Sequence, residues 1–115
     1  MEGLELIAFN IISNVGTAKS MGIEAIMKGR SGKLEEAEGL LEKASTFMKE
    51  GHKSHSQLIQ NEAQGIKQEF SLILMHAEDQ LMSAETILCL SKEMINMQKD
   101  MLSMQKDING LKALK

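Results

Sequence analysis

Between Leu34 and Leu58 the residues Leu34, Ala37, Leu41, Ala44, Met48, Gly51, His55 and Leu58 follow one another at steps that alternate three and four without a fault. Only a helix brings such positions onto one side, because a strand would need steps of two. The regular alternation is that of a coiled-coil seam, so this stretch must lie along another helix. Leu40, Phe47 and Ile59 widen the seam, while Glu38, Glu42, Lys43, Lys49 and Lys53 mostly fall elsewhere and form a solvated face. The chain has no proline, so nothing in its 115 residues forbids helix by removing a backbone donor.

Two further stretches carry the same period. From Leu4 the apolar positions run through Ile7, Ala8, Ile11, Ile12, Val15 and Ala18 to Ala25 and Ile26. Gly16 and Gly22 interrupt them, either weakening the helix or letting a neighbour approach closely. The third stretch begins near Phe70-Ser71, and its row is Phe70, Ile73, Leu74, Ala77, Leu81, Ala84, Ile87, Leu88, Met94, Ile95, Met101 and Leu102. That band is wider than one neighbouring helix would cover, which predicts one face buried inside the subunit and another against a second subunit. Breaks fall at Gly29-Arg30-Ser31-Gly32, with Ser31 placed to cap the second helix, and at Ala63–Lys67, with Gly65 as a left-handed cap. The expectation is an all-α, antiparallel three-helix bundle over residues 1–103. Residues 104–115 would extend the third helix or fray; there Met97-Gln98-Lys99-Asp100-Met101 recurs as Met104-Gln105-Lys106-Asp107-Ile108.

Several function classes fall away. With a net charge of −3 and no Trp or Tyr, the chain has neither the basic field nor the stacking platforms of a nucleic-acid binder. No apolar run is long enough to span a bilayer, and the opening Met1-Glu2-Gly3 shows no secretory pattern, so the cytoplasm is the expected compartment. Cys89 is alone, which excludes an internal disulfide; without a basic neighbour on its helix it reads as a buried or half-buried apolar group. Gly32-Lys33 is followed by Leu, not Ser or Thr, and position 27 is Met, so it is not a phosphate loop.

What remains is the segment Leu74–Met82. His76, Asp79 and Gln80 stand three and four apart, on a face different from the stripe through Leu74, Ala77 and Leu81. A neutral imidazole nitrogen is a competent nucleophile toward phosphorus near neutral pH, provided its second nitrogen is held. By itself the pattern equally describes a surface His–acid pair. His55 lies on the buried seam, either as a hydrogen-bonded interior residue or as part of a site with His76; His52 lies beside the seam and reads as structural.

The segment Ser71-Leu72-Ile73-Leu74-Met75-His76-Ala77-Glu78-Asp79-Gln80-Leu81-Met82-Ser83 resembles the histidine motif S-x-x-x-x-H-[AG]-Q-D-H-L-M-[TS] of the lactose/cellobiose-specific IIA family of the sugar phosphotransferase system (PTS). Glu5–Phe9, Gly16–Ser20, Ala37–Leu41, Gly51–Lys53 and Leu58–Ala63 also sit where that family has similar runs. The resemblance covers residues 2–100 and implies the following. His76 would accept a phosphoryl group, on Nε2, from the phosphorylated carrier HPr and pass it to a cysteine of the IIB component. Three subunits would pack as a nine-helix homotrimer, with Asp79 sharing a metal ion, Mg²⁺, one per trimer, on its axis. Glu78 replaces the family's usual Gln, Gln80 its usual His, and His55 a common Gln; these three form the possible shell of the site. The alternatives are a noncatalytic helical interaction module and a regulatory relative that has lost transfer. The sugar is not legible.

Overall fold

The computed structural model describes residues 3–115; Met1 and Glu2, read above for a missing secretory pattern, lie outside the described residues. Three helices follow in order: α1 (Gly3–Arg30), α2 (Leu34–Ala63) and α3 (Leu72–Ala113), with no strand among the described residues. Both turns close the same way. After α1, Lys33 N donates to Lys28 O at 2.9 Å and Gly32 N to Gly29 O at 3.0 Å; after α2, Ile66 N donates to Asn61 O and Gly65 N to Glu62 O, both at 3.0 Å. These paired bonds satisfy the last carbonyls of each helix and require a left-handed residue, supplied by Gly32 (φ 82°) and Gly65 (φ 84°).

Ser31 does not cap α2, contrary to the expectation above. The turn is completed by Gly32, so Ser31 still belongs to the end of α1, where its hydroxyl donates to Met27 O at 3.2 Å. Lys33 occupies the cap position of α2 without a side-chain bond. Gly29, grouped with the break in sequence, is helical and buried. Ser71, in contrast, caps α3: its backbone is extended and its Oγ accepts from Leu74 N at 3.2 Å.

The helix directions follow from the bonds between them. Gly22 and Ile26 of α1 meet Ser91 and Gln98 of α3, both numbers rising, so these helices run parallel. Glu38, His52 and His55 of α2 meet Lys99, Glu85 and Glu78 of α3, so α2 runs the other way. The outcome is the antiparallel bundle. Its core is a row of alanines and branched residues, including Ala8, Ile11, Val15 and Ala18 of α1, Ala44, Met48 and Leu58 of α2, and Ala77, Leu81, Ala84 and Leu88 of α3.

Small residues set the spacing of α1. Ala8, Val15, Gly22 and Gly29 recur every seven positions, facing Ala77, Ala84, Ser91 and Gln98 at the same interval on α3. A Cβ on Gly22 would come within 2.7 Å of Leu88 Cδ2, and one on Gly29 would fall on the Gln98 carboxamide. Close approach is therefore the role of Gly22; Gly16 faces open space within the chain. The approach lets the fully buried Ser91 hydroxyl share its proton between Ile87 O at 2.6 Å and Gly22 O at 3.2 Å, so no polar atom is orphaned there. α1 thus serves as the central ridge, and α2 and α3 meet each other more sparingly.

Candidate functional site

The first turns of α3 split into two faces. Ile73, Leu74, Ala77 and Leu81 turn inward to the core, while Leu72, Met75, His76, Asp79 and Met82 are exposed. At 100° per residue the exposed five lie within an arc of about 120°. Side chains on a helix lean toward its N-terminus, so the His76 ring is carried back along the first turn. That turn has amides for which the helix offers no carbonyl; Ser71 takes up the one on Leu74, while Leu72 and Ile73 stay at the positive end of the helix. An exposed imidazole beside such an end is well placed for an anion. Gln80, one turn further on, is half-buried on the same side.

Glu78 lies about 200° round the helix from His76 and points to α2. There both its oxygens meet His55 Nε2, at 2.7 and 2.9 Å. His55 is therefore a bonded interior residue, 19% exposed, and the structure does not bring it together with His76. Of the three shell candidates, Gln80 alone is near the imidazole's face. A second cross-helix pair, missed in sequence, is His52 Nε2 to Glu85 Oε1 at 2.8 Å. Its signal was there: Glu78 and Glu85 are seven apart on one face of α3, and His52 and His55 are three apart on one face of α2.

Cys89 is exposed, not buried or half-buried as expected from sequence. The seam between α2 and α3 opens at this height into a groove lined by Leu41, Met48, His52, Glu85, Cys89 and Lys92. Its neighbours accordingly include His52 of α2 and Lys92, which stands three positions on along α3 itself, a basic neighbour on its own helix that the sequence reading overlooked. Phe70, counted in sequence with the apolar row of the third helix, instead precedes α3 and is 80% exposed, and Leu72, passed over in sequence, is 81% exposed on the other side of the Ser71 cap. Two large apolar residues flanking a helix cap, off the inward stripe of Leu74, Ala77 and Leu81, were the available clue.

No group of three or more His, Cys, Asp or Glu side chains able to hold a metal ion occurs among the described residues. Asp79 is one hard oxygen donor on an exposed face. A single chain does not make a cation site; a Mg²⁺ would fit only where several copies bring their Asp79 carboxylates together.

A family model described as the lactose/cellobiose-specific IIA subunit of the PTS matches residues 6–99. The chain belongs to this family. It is 41% identical over 72 residues to the oligo-beta-mannoside-specific EIIA component of Bacillus subtilis strain 168; the match takes in 63% of this chain and 66% of that protein, just under two thirds. Identity to the lactose-specific EIIA component of Staphylococcus aureus is 31% over 75 residues, 65% of this chain and 73% of the other. The fold is similar to the crystal structure of the PTS cellobiose-specific enzyme IIA from Bacillus anthracis, with a TM-score of 0.87 and 39% identity over 90% of this chain and 94% of that one. No helix among the described residues is long and apolar enough to cross a membrane.

Proposed function

We propose that this IIA chain is a phosphocarrier, taking a phosphoryl group onto His76 Nε2 from phosphorylated HPr and passing it to a cysteine of the IIB component during uptake of a lactose/cellobiose-type sugar. The observation that carries the reading is the exposed His76 set against the positive end of α3, within the family's histidine segment. In the first step the Nε2 lone pair attacks phosphorus, an N–P bond forms, and the bond to the donor atom breaks with its electron pair leaving on HPr. In the second, a IIB thiolate attacks phosphorus, the N–P bond breaks, and the pair returns to Nε2. The chain's task is orientation and charge balance: the amides at the start of α3 face the phosphate oxygens. Phe70, Leu72, Met75 and Met82 form the apolar rim on which partners dock transiently, with the methionines adapting to two different surfaces.

The departures from the family pattern leave this scheme intact. Glu78 is bound to His55 on the far side of the helix, so its charge does not face an incoming phosphate. Three copies are proposed to assemble as a cytoplasmic homotrimer with Asp79 on or near its axis. Three carboxylates gathered there would repel one another, and a divalent cation, when bound, would supply the compensating charge. Asp79 is in this reading a positioning residue of the assembly.

The test is incubation with phosphorylated HPr. The chain should acquire an acid-labile, base-stable phosphate, as phosphohistidine gives, and His76→Ala should take up none while keeping its helicity and native mass. Phosphate retained by that variant, or none on the properly assembled parent, would overturn the carrier assignment and favour an interaction module. Asp79→Asn should keep its label but dissociate more readily, and chelator treatment should weaken the parent and not the variant.

A further inference from the structure

The connection between α2 and α3 is fastened at both ends and slack between them. At one end the left-handed Gly65 brings Ile66 N back to Asn61 O at 3.0 Å, and at the other Ser71 caps α3. Among the described residues, Lys67, Gln68, Glu69 and Phe70 make no bond between backbone groups. Packing does not hold them either. Ile66 is 52% exposed, and Phe70 stands, with Leu74, on the wall of an open hollow of about 420 Å³. On the other side a second hollow, of about 350 Å³, lies between Ile66 and Glu69 of the connection and Leu4 and Ile7 of α1.

One residue of this stretch behaves otherwise. Of residues 64–70, Gln68 alone is not exposed. Its Nε2 donates to Leu58 O at 2.9 Å, ten residues back along the chain. A segment that turns its glutamine inward and leaves its isoleucine and phenylalanine outside is not held by apolar burial. Leu58 is a buried core residue of α2, so the anchor is fixed. A helical carbonyl keeps a second lone pair after its own helix bond, so the amide joins α2 without opening it. Only a donor serves there, because the atom it meets is a carbonyl oxygen.

Phe70, two residues on, is the one aromatic side chain of the rim around His76. With a hollow beside it, its position is set through the backbone, by Gln68 on one side and the Ser71 cap on the other. A partner docking on the rim finds Phe70 in place only in the fraction of chains whose connection is closed on Leu58, and its apparent affinity falls with that fraction. Order present before docking is order that docking does not have to supply.

We propose that Gln68 is a positioning residue of the phosphocarrier site, its bond to Leu58 O holding the 64–71 connection so that Phe70 is presented already ordered to the phosphoryl donor and acceptor proteins. The inference rests on the phosphocarrier reading and adds to it the residue that sets how tightly partners dock. The side-chain bond of Gln68 is to α2 and not to His76, so its effect falls on docking and not on the phosphorus chemistry.

The test is the rate of labelling of the full chain at varied concentrations of phosphorylated HPr. Gln68→Met, of equal length without a donor, should raise KM about threefold to fivefold, the net worth of one neutral hydrogen bond, with kcat little changed. Gln68→Glu, which sets a carboxylate against the carbonyl, should raise it at least as much. Gln68→Arg, whose Nε–H stands as far from Cα as the lost amide nitrogen, should bring KM back toward the parent's. Backbone order parameters at Lys67–Phe70 should fall in Gln68→Met and recover in Gln68→Arg, with helicity the same in all. Labelling by phosphoramidate, a donor too small to use the rim, should follow the parent's rate. An unmoved KM in Gln68→Met, or a loss shared equally by phosphoramidate, would overturn this role and leave the carrier reading in place. A parent that takes no label from phosphorylated HPr, its connection ordered, would remove the carrier reading and the docking role of Gln68 with it.

Discussion

His55 and Glu78 are a pair created by two departures from the family's pattern, and the structure makes them partners across the α2–α3 seam. With Glu78 44% exposed, solvent screens the interaction, so a double-mutant cycle with His55→Ala and Glu78→Ala should give a coupling no larger than about 1 kcal/mol. Additive losses would mean that the contact contributes nothing. Because the carboxylate points away from His76, Glu78→Gln should leave the single-turnover rate of phosphate acceptance nearly unchanged. A marked acceleration on removing the charge would place that carboxylate near the phosphate after all. The placement of His55 on a buried seam was legible, since the period of α2 determines it. Its partner was not, because the register of α3 against α2 depends on an eight-residue connection, 64–71, whose path no periodicity encodes.

The helices were legible for a physical reason: in Pro-free amphipathic segments the apolar period alone specifies type and facing side. Their ends were legible only where a residue's backbone chemistry is decisive. Gly65 needs no tertiary information to be a left-handed cap, whereas Ser31 next to Gly32 could serve either helix, and the turn geometry decided for α1. Cys89 was misplaced because a wide apolar band does not say which part the partner helix leaves open. The same distinction between conformation and space predicts opposite signs for one substitution in α2. Gly39 faces nothing within 4 Å, so Gly39→Ala should stabilise the fold by about 0.5–1 kcal/mol through helix propensity alone. A Cβ on Gly51 would come within 2.5 Å of Val15 Cγ1, so Gly51→Ala should cost about 1–3 kcal/mol, recovered in part by Val15→Ala. Denaturant midpoints measure both, and a stabilising Gly51→Ala would show that α1 and α2 can separate cheaply. Ser71→Ala, which removes the cap of α3, should cost about 1 kcal/mol and fray the turn beside His76. Amide exchange at Leu74 reports it, and unchanged protection there would mean the cap is dispensable.

The molecule as a whole has more surface than a chain of its size should keep. It exposes 8046 Å², where a compact monomer of 12.7 kDa exposes about 6,200 Å². The difference of about 1,800 Å² comes from a rod 72 Å long and about 20 Å across, with the outer face of α3 bare. Each member of a closed ring has two interfaces, and at about 800 Å² apiece they would take up that surplus. Placed in a straight helix, Asp79, Ser83, Leu90, Met97, Met101 and Ile108 fall within an arc of about 40°, so one face of α3 could serve the whole length of such an assembly. Stability should then depend on mass action. When three folded chains form one assembly, a tenfold rise in concentration adds about two thirds of 1.4 kcal/mol per chain, or about 0.9 kcal/mol. For about 100 residues that raises the melting temperature by about 4–7 °C per decade. Calorimetry at about 5, 50 and 500 μM chain should therefore show successive upward steps. A melting temperature indifferent to concentration across that range would mean that the single bundle is stable with its long apolar face in water, and that the proposed trimer adds nothing to its folding.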